Sequence, residues 1–138
     1  MNGSGSEKPS LAPYDYAVLR VVPRVERGEF INAGVILHAP VRDFLEARVF
    51  LDAPRLQALC PSVDPDWVQR HLDAVVTVAR GGAAAGPMGS YSRNERFHWL
   101  TAPRSTIIQP SAVHGGVCSD PAATLDALMR RLVLPLDE

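Results

Sequence analysis

Two groups of residues carry most of the chemistry this chain could do. The first is Arg20, Arg24, Glu26, Arg27, Glu29 and Asn32. Arg20 and Asn32 interrupt otherwise apolar runs. Guanidinium forks at Arg20 and Arg27, with the Asn32 amide beside them, are the groups that hold a carboxylate or phosphate. The competing reading is internal. A buried arginine is costly unless paired, and Glu29 or Glu26 is the nearest partner for Arg20. The second group is Arg93, Asn94, Glu95, Arg96, His98, Arg104, Gln109 and His114. A helix start carrying Arg93 and Asn94 can hold an anion. Gln109 and His114 flank a proline turn at strand ends, a common place for a site. If the groups converge, Arg20, Arg27, Asn32, Arg104, Gln109 and His114 form one ligand-binding pocket, with His114 as acid/base candidate. Otherwise they are a solvated helix face and ordinary turn residues.

Known catalytic motifs are not found. Gly81-Gly82 and Gly86 have loosely phosphate-loop spacing but lack the Lys-Ser/Thr pair that meets phosphate and magnesium. There is no Gly-x-Ser-x-Gly elbow, no His-Glu-x-x-His and no Cys-x-x-Cys. His114 and Cys118 supply two metal donors where zinc wants three or four, and Cys60 is distant in sequence, so no metal is expected. No cofactor is implied either. His38 and His71 read as structural, His71 on the apolar stripe of a helix. Trp67 and Trp99 read as core or interface anchors.

The totals narrow the class. The chain has 138 residues, enough for one domain with its own core. Net charge is −1, and the arginines are not interleaved with aromatics, so nucleic acid is an unlikely partner. Thirteen arginines stand against one lysine, which reads as compositional bias alongside abundant alanine, glycine and proline. Two widely spaced cysteines, no apolar leader segment and no membrane-length apolar run point to the cytoplasm.

The elements that would position these residues are legible. Residues 1–13 are Gly/Ser/Pro-rich and read as a disordered leader; residues 14–135 read as a single α+β domain. Strands are expected over 14–22, 30–38 and 44–51. The first is apolar on both faces, as an interior strand would be. Pro23 ends it, and Gly28 serves the connector. In the second, strict alternation puts Asn32, Gly34, Ile36 and His38 on one face, and Gly34 suggests a bulge or a close backbone approach. Asp52, Asp64 and Asp120 each precede a proline by one or two residues, which marks helix starts for 53–59, 65–80 and 121–133. Ser92 and Glu95 have capping-box spacing for a helix over 93–100. Residues 83–89 form a small-residue loop. Residues 105–109 make a fourth strand, and 112–118 a weak fifth broken at Gly115-Gly116. The order βββ-α-α-α-β(β)-α predicts a largely antiparallel sheet of four or five strands with helices packed on it.

The run from Tyr16 to Leu37, with Arg93-Asn-Glu-Arg-Phe-His-Trp-Leu, Arg104-Ser-Thr-Ile-Ile-Gln-Pro and Val113-His-Gly-Gly, resembles the bacterial family DUF3037 across nearly the whole domain. Ala33 and His38 stand where the family pattern has larger apolar or aromatic residues. The resemblance implies no activity and no catalytic residues. It implies a bacterial source and a protein partner, because such proteins are often encoded beside a HipA-like kinase domain. The leading expectation is therefore a protein-interaction or accessory module that binds such a kinase or a second copy of itself. The alternative is a binder of, or enzyme on, a small anionic ligand such as a nucleotide or phosphorylated metabolite.

Overall fold

A computed structural model describes residues 10–136. Its framework is one antiparallel sheet. The strands are β1 (Ala12–Val21), β2 (Ile31–Ala39), β3 (Phe44–Val49), β4 (Ile108–Pro110) and β5 (His114–Cys118). The order is β3-β2-β1-β4, with β5 also paired to β1. The helices are α1 (Ala53–Leu59), α2 (Pro65–Arg80), α3 (Arg93–Thr101) and α4 (Pro121–Leu132). The fold is α+β, as the element order predicts.

The helix starts follow the predicted chemistry. The carboxylates of Asp52, Asp64 and Asp120 accept from the backbone N–H groups of Arg55, Asp66 and Ala123, with proline in each first turn. Ser92 and Glu95 form the reciprocal capping box of α3. The 83–89 segment is wound into 3-10 turns over Ala83–Ser90.

β1 is the central strand, paired with β2 on one edge and with β4 and β5 on the other. It starts at Ala12, so Ala12 and Pro13, expected in the leader, are part of the sheet. Of the remaining leader, Ser10 and Leu11 precede the strand outside any element, and residues 1–9 fall outside the described residues. The break on the outer edge also differs from expectation. β5 runs unbroken through Gly115 and Gly116, and a Cβ at Gly116 would stand 2.7 Å from Tyr14 Cζ. The interruption falls earlier, at Ser111 to Val113. There Ser111 Oγ accepts the Val18 N–H at 2.8 Å, while Ser111 N–H donates to Val18 O at 2.8 Å. β4 and β5 are thus one kinked strand, held to β1 across the break by the Ser111 side chain, which accepts the Val18 N–H in place of a main-chain carbonyl.

Strict alternation in β2 fails at one point. Leu19 pairs with Gly34 and Arg20 with Asn32, which leaves Ala33 as an extra residue. This bulge reverses the parity of the strand. Ile31, Ala33 and Ile36 therefore all join clusters on the face covered by α1, α2 and α3. Asn32 is thrown onto the opposite face with Val35 and Leu37, so the expected grouping of Asn32 with Ile36 and His38 is wrong. Gly34 sits where the bulge tightens; a Cβ there would lie 2.6 Å from Arg48 O.

Three buried clusters share the sheet. On one face, Leu19, Ile36, Ala79, Phe97 and Leu100 form the first, and Val21, Ile31, Leu56, Val68 and Leu72 the second. On the other face, α4 lays Leu125, Leu128 and Met129 over Val35 and Leu37. Glu46 and Arg48 of β3 lie on this α4 side. Arg48 ion-pairs with Asp126 of α4, a link between that helix and the edge strand.

Candidate functional site

Register brings three predicted residues into a row. Arg20 is the direct partner of Asn32 on β2 and of Gln109 on β4. Opposed residues on antiparallel strands share a face, so all three side chains emerge on the α4 side. Asn32 reaches that side only because of the bulge. Its amide donates to Leu132 O at the end of α4, 3.1 Å away. Gln109 donates to Thr106 O at 3.0 Å. Arg20 lies over the Phe30 ring, 4.4 Å from its centroid, a cation–π contact.

The internal pairing expected for Arg20 is absent. No carboxylate among the described residues forms an ion pair with it. Glu29 is taken by Arg27 at 2.6 Å and Glu26 by Arg24 at 3.8 Å. The turn at Val25–Arg27 holds those pairs within the connector, away from the sheet. Arg20 Nε and Asn32 Oδ1 are both buried without a hydrogen-bond partner.

The other three predicted residues divide. His114 is on the same face, stacked against Tyr16 with ring centroids 5.4 Å apart. Tyr16 precedes Arg20 by four residues, so His114 lies about 13 Å from the row along the strand. Arg27 is exposed in the connector and tied to Glu29, which holds its guanidinium above its ordinary pKa through the hydrogen bond and the charge. Arg104 is on the opposite face of the sheet. Its guanidinium bonds the Trp99 and Ala102 carbonyls at the end of α3 and stacks over the Trp99 ring at 4.8 Å. The six residues therefore do not form one pocket.

A feature that sequence reasoning missed lies on Arg104's side. An apolar cavity of about 210 Å³ is bounded by His71, Val75 and Val78 of α2, by Trp99 and Leu100 of α3, and by Thr106. Beyond Thr106 an open cleft of about 460 Å³ continues past Trp67, Cys60, Ser62 and Arg24. Trp67 and His71 stand between the two hollows, their rings 4.3 Å apart, with His71 Nδ1–H donating to Trp67 O at 2.8 Å. None of Trp67, His71 and Trp99 is a core residue: Trp67 is 42% and Trp99 47% exposed, and His71 is exposed too. The available signal was the width of the α2 stripe. Its pairs Trp67/Val68, His71/Leu72 and Val75/Val76 are broader than one packed seam needs. One column fills the core and the other lines the groove.

The two thiols are buried and unbridged. A 3.5 Å contact with the Ser62 hydroxyl holds the Cys60 pKa below the usual thiol value against the opposing effect of burial, and Arg24's charge adds to the lowering. Among the described residues no three His, Cys, Asp or Glu side chains are grouped to hold a metal ion. No helix among them is long and apolar enough to cross a membrane.

His38 is 3% exposed, under α3 with its ring 5.1 Å from that of Phe97. Burial lowers its pKa; Asp15 opposes this, while His98 and Arg93 add to it. The folded pKa thus lies below the unfolded value of about 6.5. The unfolded chain takes up the proton first, so stability should fall as pH drops below about 6.5 and level off once the folded value is passed. Urea midpoints measured at pH 7.5 and at pH 5.5 should differ more in the native chain than in His38→Leu. Equal pH dependence in the two would remove His38 as the cause.

The molecule is therefore an α+β sheet domain with an aromatic-walled groove on one face and an unpaired arginine on the other. It belongs to the family described as "Protein of unknown function (DUF3037)", whose pattern matches residues 16–133. Comparison with curated proteins and with solved structures gives no significant match.

Proposed function

We propose that this chain is a protein-interaction module whose docking surface is the groove between α2, α3 and Thr106. The observation that carries the reading is a pair of exposed tryptophans: Trp99 lines an apolar hollow with Arg104, and Trp67 lines the cleft that adjoins it. Tryptophan and arginine are the residue types most enriched at the energetic centres of protein interfaces. The cavity, at about 210 Å³, is smaller than the roughly 300–1,000 Å³ usual for small-molecule pockets. It suits one large apolar side chain. His71 and Arg104 at the mouth favour a partner segment that carries a carboxylate beside that side chain. The partner we propose is a HipA-like kinase domain of the kind the family resemblance implies.

The test is calorimetric titration of the native chain with the purified kinase domain. Trp99→Ala should weaken the complex by about 2 kcal/mol, roughly 30-fold. The variant should stay folded, because Phe97 and Leu100, not Trp99, anchor α3 in the core. No complex at micromolar concentration would defeat the partner assignment. Binding unchanged in both Trp67→Ala and Trp99→Ala would defeat the groove.

A further inference from the structure

We infer that the opposite face of the sheet carries a second, separate site for an oxyanion, the phosphate or carboxylate group of a small molecule, centred on Arg20. The fold leaves two features of this corner without a partner, the Arg20 charge and the buried Oδ1 of Asn32. The guanidinium is half-buried, positioned by the Phe30 ring, and free of any carboxylate among the described residues. Half-buried arginines without an acidic partner are uncommon, because desolvating the charge must be offset by something that accepts its protons.

The neighbours supply what an anion needs. Gln109 and Asn32 flank Arg20 on the two adjoining strands, each with a side-chain amide that uses one hydrogen on a backbone carbonyl and retains the other. The buried Nε of Arg20 has no acceptor. An oxyanion can take a parallel pair of bonds from the two terminal nitrogens of Arg20, which unlike Nε are not closed off from solvent. α4 ends against Asn32, and Arg130 and Arg131 of its last turn are exposed. The helix end itself contributes about half a negative charge, which the full charge of Arg20 outweighs. His114 is too far along the strand to touch the same group.

The site and the groove lie on opposite faces, so they can be tested apart. The probe is inorganic phosphate, with acetate as a second arm, titrated into the isotope-labelled native chain at ionic strength held constant with sodium chloride. The readout is the Arg20 Nε–Hε resonance together with the side-chain amides of Asn32 and Gln109. We expect these signals to shift together and to saturate, and Trp99→Ala to leave the titration unchanged. Arg20→Met should abolish saturation, and Arg20→Lys should weaken it roughly tenfold, because lysine cannot form the paired bonds. The arm that saturates at lower concentration identifies the anion as tetrahedral or planar. A linear response, or equal shifts at all exposed arginines, would reduce the effect to charge screening and overturn the site. Retention of the Asn32 and Gln109 shifts in Arg20→Met would overturn it as well.

Discussion

Gly34→Val is expected to destabilise the fold by about 3 kcal/mol or more, at the upper end of what overpacking costs. The reason is specific to the bulge. A Cβ at residue 34 would stand 2.6 Å from Arg48 O, 3.0 Å from Val49 Cγ1 and 3.1 Å from Leu19 Cδ1. The closest of these atoms is backbone on β3, so no rotamer change relieves it. Valine's strand preference is worth about 1 kcal/mol at most and cannot compensate. Gly34→Ala should cost less, about 2 kcal/mol, because it adds one carbon and not three. Urea unfolding followed by circular dichroism measures both. The substitution also reaches the Arg20 row, since pushing β3 away shifts the bulge that places Asn32 on the α4 face. A Gly34→Val midpoint within about 1 kcal/mol of the native chain would show that β2 and β3 are not this closely packed.

Leu125→Ala should cost about 3 kcal/mol, within the range found for leucine deletions in rigid cores. Leu125 is completely buried and sits in the cluster that joins α4 to Val35 and Leu37. α4 is the helix that covers this face, so no second helix can close over the hole. The Arg48–Asp126 pair cannot offset the loss, because Asp126 is half exposed and such pairs contribute less than about 1 kcal/mol. Leu136→Ala is the control: that side chain is 75% exposed, and its removal should change stability by less than about 0.5 kcal/mol. Hydrogen exchange should show early opening of α4 in Leu125→Ala, while α2 retains its protection. Loss spread evenly over both helices would mean that the two faces unfold as one unit.

Much of the framework was legible because its signals are local. The Asp-Pro starts act within a single helical turn, and α1 and α2 begin and end where those signals put them. The Ser92–Glu95 box is equally short in range. Gly34 announced a close approach by its lack of a side chain. Strand ends were less certain. The fourth strand shrinks to Ile108–Pro110, because pairing depends on what β1 offers opposite each residue. His71 was misplaced for a related reason: periodicity defines a stripe but not which edge of it another element will cover.

What the amino-acid order alone determined is the set of elements, their caps and the antiparallel α+β class, since each depends on neighbours within a few positions. The tertiary structure decided which side each polar residue faces. One extra residue in β2 turned Asn32 toward Arg20, and α3's end drew Arg104 to the far side of the sheet to satisfy open carbonyls. Both outcomes follow from hydrogen-bond and packing demands between segments distant in the chain.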